Sequence, residues 1–176
     1  MWIGTFRGAI YFGNIWLEET IVADQQIRAI TRDNQEENIW IGTERGLFQY
    51  NGRSVTEMKD LPTINIRTMR WVDDDLYLGL EDGRLGVRTG GVFNVFDRTN
   101  SPLSTDPITV IEVGPNNTIY VGNGDDLYVL NNARTLTQIP QVRGFYISDV
   151  IFQGRSNETL VSTTDRKSTR LNSSHD

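Results

Sequence analysis

Short apolar runs, separated by glycine-containing turns, follow one another along the chain. Ile39-Trp40-Ile41 is β-branched and aromatic, as β-strands prefer. Leu47-Phe48-Gln49-Tyr50 follows a turn that contains Gly46, and Asn51-Gly52 is then a strong signal for a two-residue hairpin. Residues 54–58 predict an outer strand. No stretch sustains the spacing of an amphipathic helix, so the pattern predicts strands and hairpins throughout.

Two patterns recur along the chain with one common period. The first is an apolar triplet with a central aromatic residue and a following glycine. Its copies are Met1-Trp2-Ile3-Gly4, Ile39-Trp40-Ile41-Gly42, Leu76-Tyr77-Leu78-Gly79 and Ile119-Tyr120-Val121-Gly122, with a degenerate copy at Leu160-Val161-Ser162-Thr163-Thr164. The second pattern precedes each later copy: Ile27-Arg28-Ala29-Ile30, Ile66-Arg67-Thr68-Met69, Ile108-Thr109-Val110-Ile111 and Ile147-Ser148-Asp149-Val150. A period of about 40 residues is that of β-propeller blades.

The repeats predict an all-β fold, a β-propeller fragment of about four four-stranded blades in an incomplete ring. The expected blades are a partial one at residues 1–26, whole ones at 27–65, 66–107 and 108–146, and a partial one at 147–164. The inner strands are apolar on both faces because blades stack face to face. The glycine after each triplet is expected to let neighbouring backbone or a large aromatic side chain approach closely.

Residues 39–52 resemble the repeat of the two-component regulator propeller family. The matching motifs are Ile39-Trp40-Ile41-Gly42-Thr43, Gly46-Leu47-Phe48 and Tyr50-Asn51-Gly52. Later copies depart from the pattern: Tyr77 and Tyr120 replace the tryptophan, and Leu80 and Asn123 replace the threonine. The resemblance covers roughly residues 1–164.

That resemblance implies a sensor segment of a hybrid histidine kinase-type regulator. Such a propeller would be periplasmic or otherwise extracytoplasmic, would bind an oligosaccharide or another small ligand, and would relay the signal. Its partners would be the remaining blades and the output domains of the parent protein. Two alternatives stay open: a propeller that serves as a protein-interaction platform, and a fragment of a propeller lyase or glycosidase.

Residues 165–176 break the blade pattern abruptly. The segment is polar, and residues 165–175 resemble a translated sequencing-library adapter. We therefore interpret 165–176 as a non-native tail, to be excluded from reasoning about the fold. Met1 opens in the middle of a repeat, so the chain is expected to be a piece of a longer protein.

Composition restricts the chemistry that this segment can perform. The net charge is −6, which disfavours binding to nucleic acid, and no apolar stretch approaches the roughly 20 residues that cross a bilayer. There is no cysteine, and the only histidine, His175, lies in the tail. We therefore predict no catalytic residues, no metal site and no cofactor, and expect a segment that is not an enzyme.

Acidic and aromatic residues are the remaining candidates for a site. The acidic groups Asp73-Asp74-Asp75, Glu81-Asp82 and Asp125-Asp126 each fall at a predicted turn, and we interpret them as solvated turn residues. Trp2 and Trp40 share one repeat position, which favours a role in blade packing. Trp16 and Trp71 lie outside that position and are more open to a ligand, but the sequence assigns no ligand-binding residue.

Overall fold

The computed structural model describes residues 2–5, 8–11, 19–22, 24–34, 38–59, 61, 65–131, 134–142, 144–153, 158–163 and 168–172. These residues form five antiparallel sheets in which the strands follow one another in chain order. Single 3-10 turns lie at Pro115–Asn117 and Pro140–Val142. Each sheet is a meander, the arrangement of a propeller blade.

The strands of the first two sheets lie within the first 57 residues. The first sheet consists of β1 (Trp2–Thr5), β2 (Gly8–Tyr11) and β3 (Glu19–Ile21). The second sheet consists of β4 (Ile27–Arg32), β5 (Ile39–Thr43), β6 (Leu47–Tyr50) and β7 (Val55–Glu57).

The other three sheets complete the described chain. The third consists of β8 (Ile66–Val72), β9 (Asp75–Leu80), β10 (Leu85–Thr89) and β11 (Val92–Phe96). The fourth consists of β12 (Ile108–Val113), β13 (Ile119–Asn123), β14 (Asp126–Leu130) and β15 (Leu136–Gln138). The fifth consists of β16 (Ile147–Gln153), β17 (Glu158–Thr163) and β18 (Ser168–Asn172).

The chain divides into two compact units. The first is made of Met1–Glu81 and Gly86–Asn94, and the second of Asp82–Leu85 and Val95–Asp176. One buried cluster of the first unit centres on Trp40, Leu47, Ile66 and Leu78. A cluster of the second unit includes Leu127, Ile147, Val150 and Val161. Both clusters join residues of neighbouring sheets, so packing between sheets forms the core.

The first strand of four sheets carries the same β-bulge. The register shifts directly after the leading isoleucine, so that one residue is skipped before pairing resumes. The shifts lie between Ile27 and Ala29, Ile66 and Thr68, Ile108 and Val110, and Ile147 and Asp149. A bulge turns the strand locally and re-aims the side chain at that point. The second recurring sequence pattern, which begins with an isoleucine, therefore marks the start of the first strand of a sheet and the β-bulge in that strand.

The glycine of the first marker lies against the leading isoleucine of the following sheet. A Cβ atom on Gly42 would lie 2.7 Å from Cγ2 of Ile66, and one on Gly122 would lie 3.0 Å from Cγ2 of Ile147. Gly4 has the same relation to Ile27, at 2.7 Å. The glycine thus admits a β-branched side chain, which corrects the expectation of backbone or a large aromatic residue.

One local expectation differs from the structure. Asn51-Gly52 does not form a two-residue hairpin, because Tyr50 pairs with Val55 and leaves a four-residue loop. The Oδ1 atom of Asn51 accepts hydrogen bonds from the backbone N–H groups of Arg53 and Ser54, which stabilises the longer loop.

The segment interpreted as a tail also contains a strand. β18 pairs antiparallel with β17, with Thr169 opposite Val161 and Leu171 opposite Thr159. A strand pairs through backbone groups that every residue except proline carries. The pairing therefore does not test where the sequence of residues 165–176 comes from.

Candidate functional site

Two tryptophans from neighbouring sheets of the first unit stack on each other. Trp40 lies on β5, and Trp71 lies on β8, five positions after the isoleucine that packs on Gly42. Their ring centroids are 5.5 Å apart, with an angle of 30° between the planes. Trp40 is only 2% exposed, whereas Trp71 is half-buried. The packing role predicted for Trp40 is thereby confirmed, and the stack brings it together with Trp71.

A cation covers part of this aromatic cluster. The guanidinium carbon of Arg88, on β10, lies 5.0 Å from the ring centroid of Trp40 and 5.9 Å from that of Phe93. Such contacts are attractive because the positive charge faces the negative face of the ring. Arg88 therefore places a positive charge against an otherwise apolar wall.

Two turns at the strand ends hold polar groups beside the stack. In the loop after β4, the Asp33 carboxylate accepts a hydrogen bond from Asn38 Nδ2, at 2.6 Å, and one from the Asn38 backbone N–H. In the turn between β8 and β9, the carbonyl of Asp73 accepts a hydrogen bond from Trp71 Nε1, at 2.9 Å. Asn34 Nδ2 donates to the same carbonyl, so the two turns are tied together.

These groups enclose a pocket of about 200 Å³, called the Trp pocket below. Its lining consists of the two indoles, the guanidinium, two carboxylates and three amides: Trp40, Trp71, Arg88, Asp33, Asp74, Asn34, Asn38 and Gln49. Two of its nitrogens, Trp40 Nε1 and Arg88 Nε, are buried and have no hydrogen-bond partner in the described part of the chain. Buried donors without partners are rare in native proteins, so these two nitrogens distinguish this part of the lining.

An aromatic pair in the second unit corresponds to the tryptophan stack. Tyr120 on β13 and Phe152 on β16 have ring centroids 4.6 Å apart. A Cβ atom on Gly114 would lie 2.6 Å from the Tyr120 ring and 3.0 Å from the Phe152 ring, so backbone covers this pair. Burial raises the pKa of the Tyr120 hydroxyl above its ordinary value.

A second pocket, of about 440 Å³, lies within the second unit. It is lined by residues of the turn after β9 and of the linker after β11: Asp82, Gly83, Arg84, Asp97, Arg98, Thr99, Ser104 and Thr105. The Asp82 carboxylate accepts hydrogen bonds from Nε and Nη2 of Arg84, at 2.8 and 2.7 Å. This hydrogen-bonded pair raises the pKa of Arg84. The pocket has balanced charges, and no aromatic residue contributes to its lining.

Hydrogen bonds inside the linker account for a further pKa shift. Asp97 accepts hydrogen bonds from the hydroxyl and the backbone N–H of Thr99, at 2.5 and 2.8 Å, and these bonds lower the pKa of its carboxyl group. Both acidic side chains of the pocket are thus held by partners within their own loops. These hydrogen bonds therefore stabilise the conformation of the loops that line the pocket.

The polar residue that follows the triplet glycine is Thr43 in the second sheet and Asn123 in the fourth. In both sheets its side chain forms hydrogen bonds with residues of nearby loops. The Thr43 hydroxyl is within hydrogen-bond distance of Gln25 Oε1, at 2.8 Å, and accepts hydrogen bonds from the N–H groups of Arg45 and Gly46. In the fourth sheet, Asn123 accepts a hydrogen bond from the Ser104 N–H and donates one to the Asp106 carbonyl. The side chains at this position therefore stabilise loops, although polar side chains of this kind also occur in ligand-binding sites.

The predicted acidic candidates all lie in or beside turns. The hairpin turn at Asp73-Asp74 follows β8, Glu81-Asp82 follows β9, and Asp125 lies between β13 and β14. No group of three or more acidic or histidine side chains capable of holding a metal occurs among the described residues. Trp16 and His175 lie outside the described residues, as does the side chain of Trp2.

Part of the repeat matches a known family of proteins. Residues 22–45, which span β4 and β5, match the model of the two component regulator propeller. The resemblance noted in the sequence is thereby confirmed. No curated protein sequence matches the chain.

Solved structures with the same fold are β-propellers. The extracellular domain of BT4673 from B. thetaiotaomicron superposes with a TM-score of 0.78 at 19% identity, over 96% of this chain and 26% of that one. A second structure of that domain, from a hybrid two component system, gives a TM-score of 0.77 at 21% identity, over 92% and 23%. This chain thus spans about a quarter of their length.

A more distant structure with the same fold is virginiamycin B lyase from Staphylococcus aureus. It has a TM-score of 0.65 at 18% identity, over 85% of this chain and 56% of that one. At these identities the likeness concerns the fold, and it confirms the predicted all-β propeller. No helix in the described ranges is long and apolar enough to cross a membrane.

Proposed function

We propose that this chain is a segment of the extracytoplasmic sensing propeller of a two-component regulator. The observation that carries the proposal is the family match at residues 22–45, on a repeat whose strands, bulges and glycine contacts recur from sheet to sheet. The extracellular domains of BT4673 support the same cellular location. The segment would bind a small ligand, with an oligosaccharide as the favoured class, and pass the signal to output domains of its parent.

A propeller suits this task because its sheets are packed against each other as rigid layers. A ligand that contacts two neighbouring sheets changes the free energy of their packing, and that change can be transmitted to an attached domain. The Trp pocket is lined by residues of two neighbouring sheets of the first unit, so it satisfies this requirement. The proposal assigns binding to the segment and leaves catalysis out, because the sequence has no cysteine and its one histidine is His175.

The test begins with the parent gene, sequenced with long reads across both ends of this segment. The proposal expects further repeats, a membrane-spanning segment and a histidine kinase or other output domain. The parent is then expressed with a reporter gene under its control, and cells are exposed to defined oligosaccharides. Reporter induction that needs this segment supports the proposal. A parent without any membrane segment or signalling domain would overturn it, and turnover of the saccharide would favour a lyase or glycosidase.

A further inference from the structure

We propose that the Trp pocket is a binding site for one uncharged, hydroxyl-rich ring, such as the terminal residue of a saccharide. This inference deepens the proposed function and rests on it for its biological use, although binding itself can be tested alone. The volume of the pocket, about 200 Å³, sets the size of the ligand. Sites for drug-sized molecules usually occupy about 300–1,000 Å³, so this pocket holds a single ring.

The free polar groups of the pocket fit hydroxyl groups. Asp33 is already bonded to Asn38, but the Gln49 amide and the Asp74 carboxylate have no hydrogen-bond partner in the described part of the chain. An amide offers a donor and an acceptor, and a carboxylate offers acceptors. A hydroxyl group is both donor and acceptor, so neighbouring hydroxyls on a ring satisfy this set. The half-buried indole of Trp71 supplies an apolar wall for the C–H face of the same ring.

The charge of the pocket disfavours an anionic ligand. Asp33 and Asp74 bring two negative charges, whereas Arg88 brings one positive charge that already faces the Trp40 ring. A phosphate, sulfate or carboxylate would lie beside these two carboxylates, and like charges at short distance repel. An uncharged ring avoids this cost.

Two buried donors give an independent indication of a missing partner. Trp40 is 98% buried, and its Nε1–H lacks an acceptor, as does Nε of Arg88 in the same lining. Such groups normally find a partner in the protein, a water or a ligand. A hydroxyl oxygen of a bound ring is an acceptor of the kind that both groups lack.

The corresponding aromatic pair shows that packing alone does not require the polar lining. Tyr120 pairs across the strands with Val129, whereas Trp40 pairs with Gln49. Gly114, directly after β12, packs its backbone on Tyr120 and Phe152, whereas Asp33 takes the place directly after β4. The aromatic contact between sheets is therefore surrounded by apolar groups at Tyr120 and Phe152, and by polar groups that line a pocket at Trp40 and Trp71.

The test measures binding of named sugars to the full chain. Saturation-transfer NMR and tryptophan fluorescence are recorded with maltose, cellobiose, mannobiose and lactose, and with glucuronate and inorganic phosphate as anionic probes. The variants are Gln49→Val, which copies the residue of the fourth sheet, and Asp74→Asn. Asp125→Asn, an exposed turn acid elsewhere, is the matched control, and the melting temperature of each variant shows that it folds.

We expect at least one neutral sugar to bind, and each pocket variant to weaken binding by about tenfold, the effect of one lost hydrogen bond to a charged or buried group. Asp125→Asn should bind as the original chain does. Unchanged affinity in both pocket variants would overturn the proposal, as would binding of only the anionic probes or of none. If sugars bind here but the parent has no signalling domain, the site stands and the sensor function fails.

Discussion

The Cγ2 methyl of Ile66 lies 2.7 Å from the point that a Cβ atom on Gly42 would occupy. The methyl group therefore fills the space that glycine leaves on β5, and the Sδ atom of Met69 lies 3.0 Å from the same point. Neither neighbour can withdraw easily, because Ile66 is 1% exposed and Met69 is 7% exposed. The glycine is thus required by packing between sheets, and its φ angle is not in the positive range.

Replacing this glycine should destabilise the protein through overpacking. Gly42→Ala is expected to lower the free energy of unfolding by about 1–3 kcal/mol, the usual cost of forcing a methyl group into a filled core. Gly86→Ala is the matched control, because its added Cβ would lie 3.5 Å from Leu78, an ordinary contact distance. Urea unfolding monitored by tryptophan fluorescence measures both. Equal stability of the two variants would show that the second and third sheets do not pack as described.

The hydroxyl of Thr43 should matter more than its methyl group. Thr43→Val keeps the shape of the side chain but leaves the N–H groups of Arg45 and Gly46 without their acceptor. We expect a loss of about 0.5–1.5 kcal/mol in the free energy of unfolding, the net contribution of a typical hydrogen bond, because Arg45 is exposed and Gly46 is half-buried, so water can replace part of the lost interaction. Thr43→Ser keeps the hydroxyl and should lose less. Amide hydrogen exchange at Arg45 and Gly46 provides the direct readout, and unchanged protection in the valine variant would contradict the assignment.

Removing the charge of Arg88 should weaken the aromatic cluster. Arg88→Met keeps an unbranched side chain against Trp40 and Phe93 but loses the cation–π attraction. We expect a loss of about 0.5–2 kcal/mol, the range measured for such contacts. Arg98→Met, at an exposed position, is the control and should be nearly neutral. Salt titration distinguishes the origin of a loss, because a screened surface ion pair would respond strongly to salt and this contact should not.

The raised pKa of Tyr120 should make the protein less stable at alkaline pH. In the folded state partial burial raises the pKa of the hydroxyl, whereas in the unfolded state the group ionises near its ordinary value of about 10. Its contribution to stability is therefore fully present below about pH 10 and is lost as the pH rises through the folded-state pKa. Tyr120→Phe removes this proton while keeping the ring contact with Phe152.

The comparison of two pH values isolates this effect. The difference in unfolding free energy between Tyr120→Phe and the original chain is measured by urea unfolding at pH 8 and at pH 10.5. The phenylalanine variant should gain relative stability at the higher pH. A difference that is the same at both pH values would contradict the raised pKa of Tyr120.

Sequence reasoning predicted the strands well because the repeat supplies each one several times. The leading isoleucines and the triplet glycines mark β4, β8, β12 and β16 and the strands that follow them. The turn at Asn51 was predicted wrongly, because its side-chain oxygen can stabilise a longer loop as easily as its backbone can enter a tight one. The identity of the residue that packs on Gly42 was also missed, since it depends on how one sheet sits on the next.

The Trp pocket could be predicted only in part. Trp71 was singled out as more open to a ligand, and it does line the pocket. Gln49 and Arg88 gave no signal, because single polar residues at strand positions look like ordinary surface residues. Only the stacking of two sheets brings side chains from β5, β6, β8 and β10 to one place. Gln49 and Val129 occupy equivalent positions in two repeats, and this difference between a polar and an apolar residue is the sequence signal that indicates the pocket.

The pairing of glycine with isoleucine has a consequence for how such chains evolve. The second, third and fifth sheets each bring their leading isoleucine against the glycine of the sheet before them: Ile27 lies on Gly4, Ile66 on Gly42 and Ile147 on Gly122. A gene segment of about 40 codons that encodes both halves of this joint is a self-contained cassette. Unequal recombination between copies could then add or remove whole sheets, and the contact between glycine and isoleucine would form again between the new neighbours.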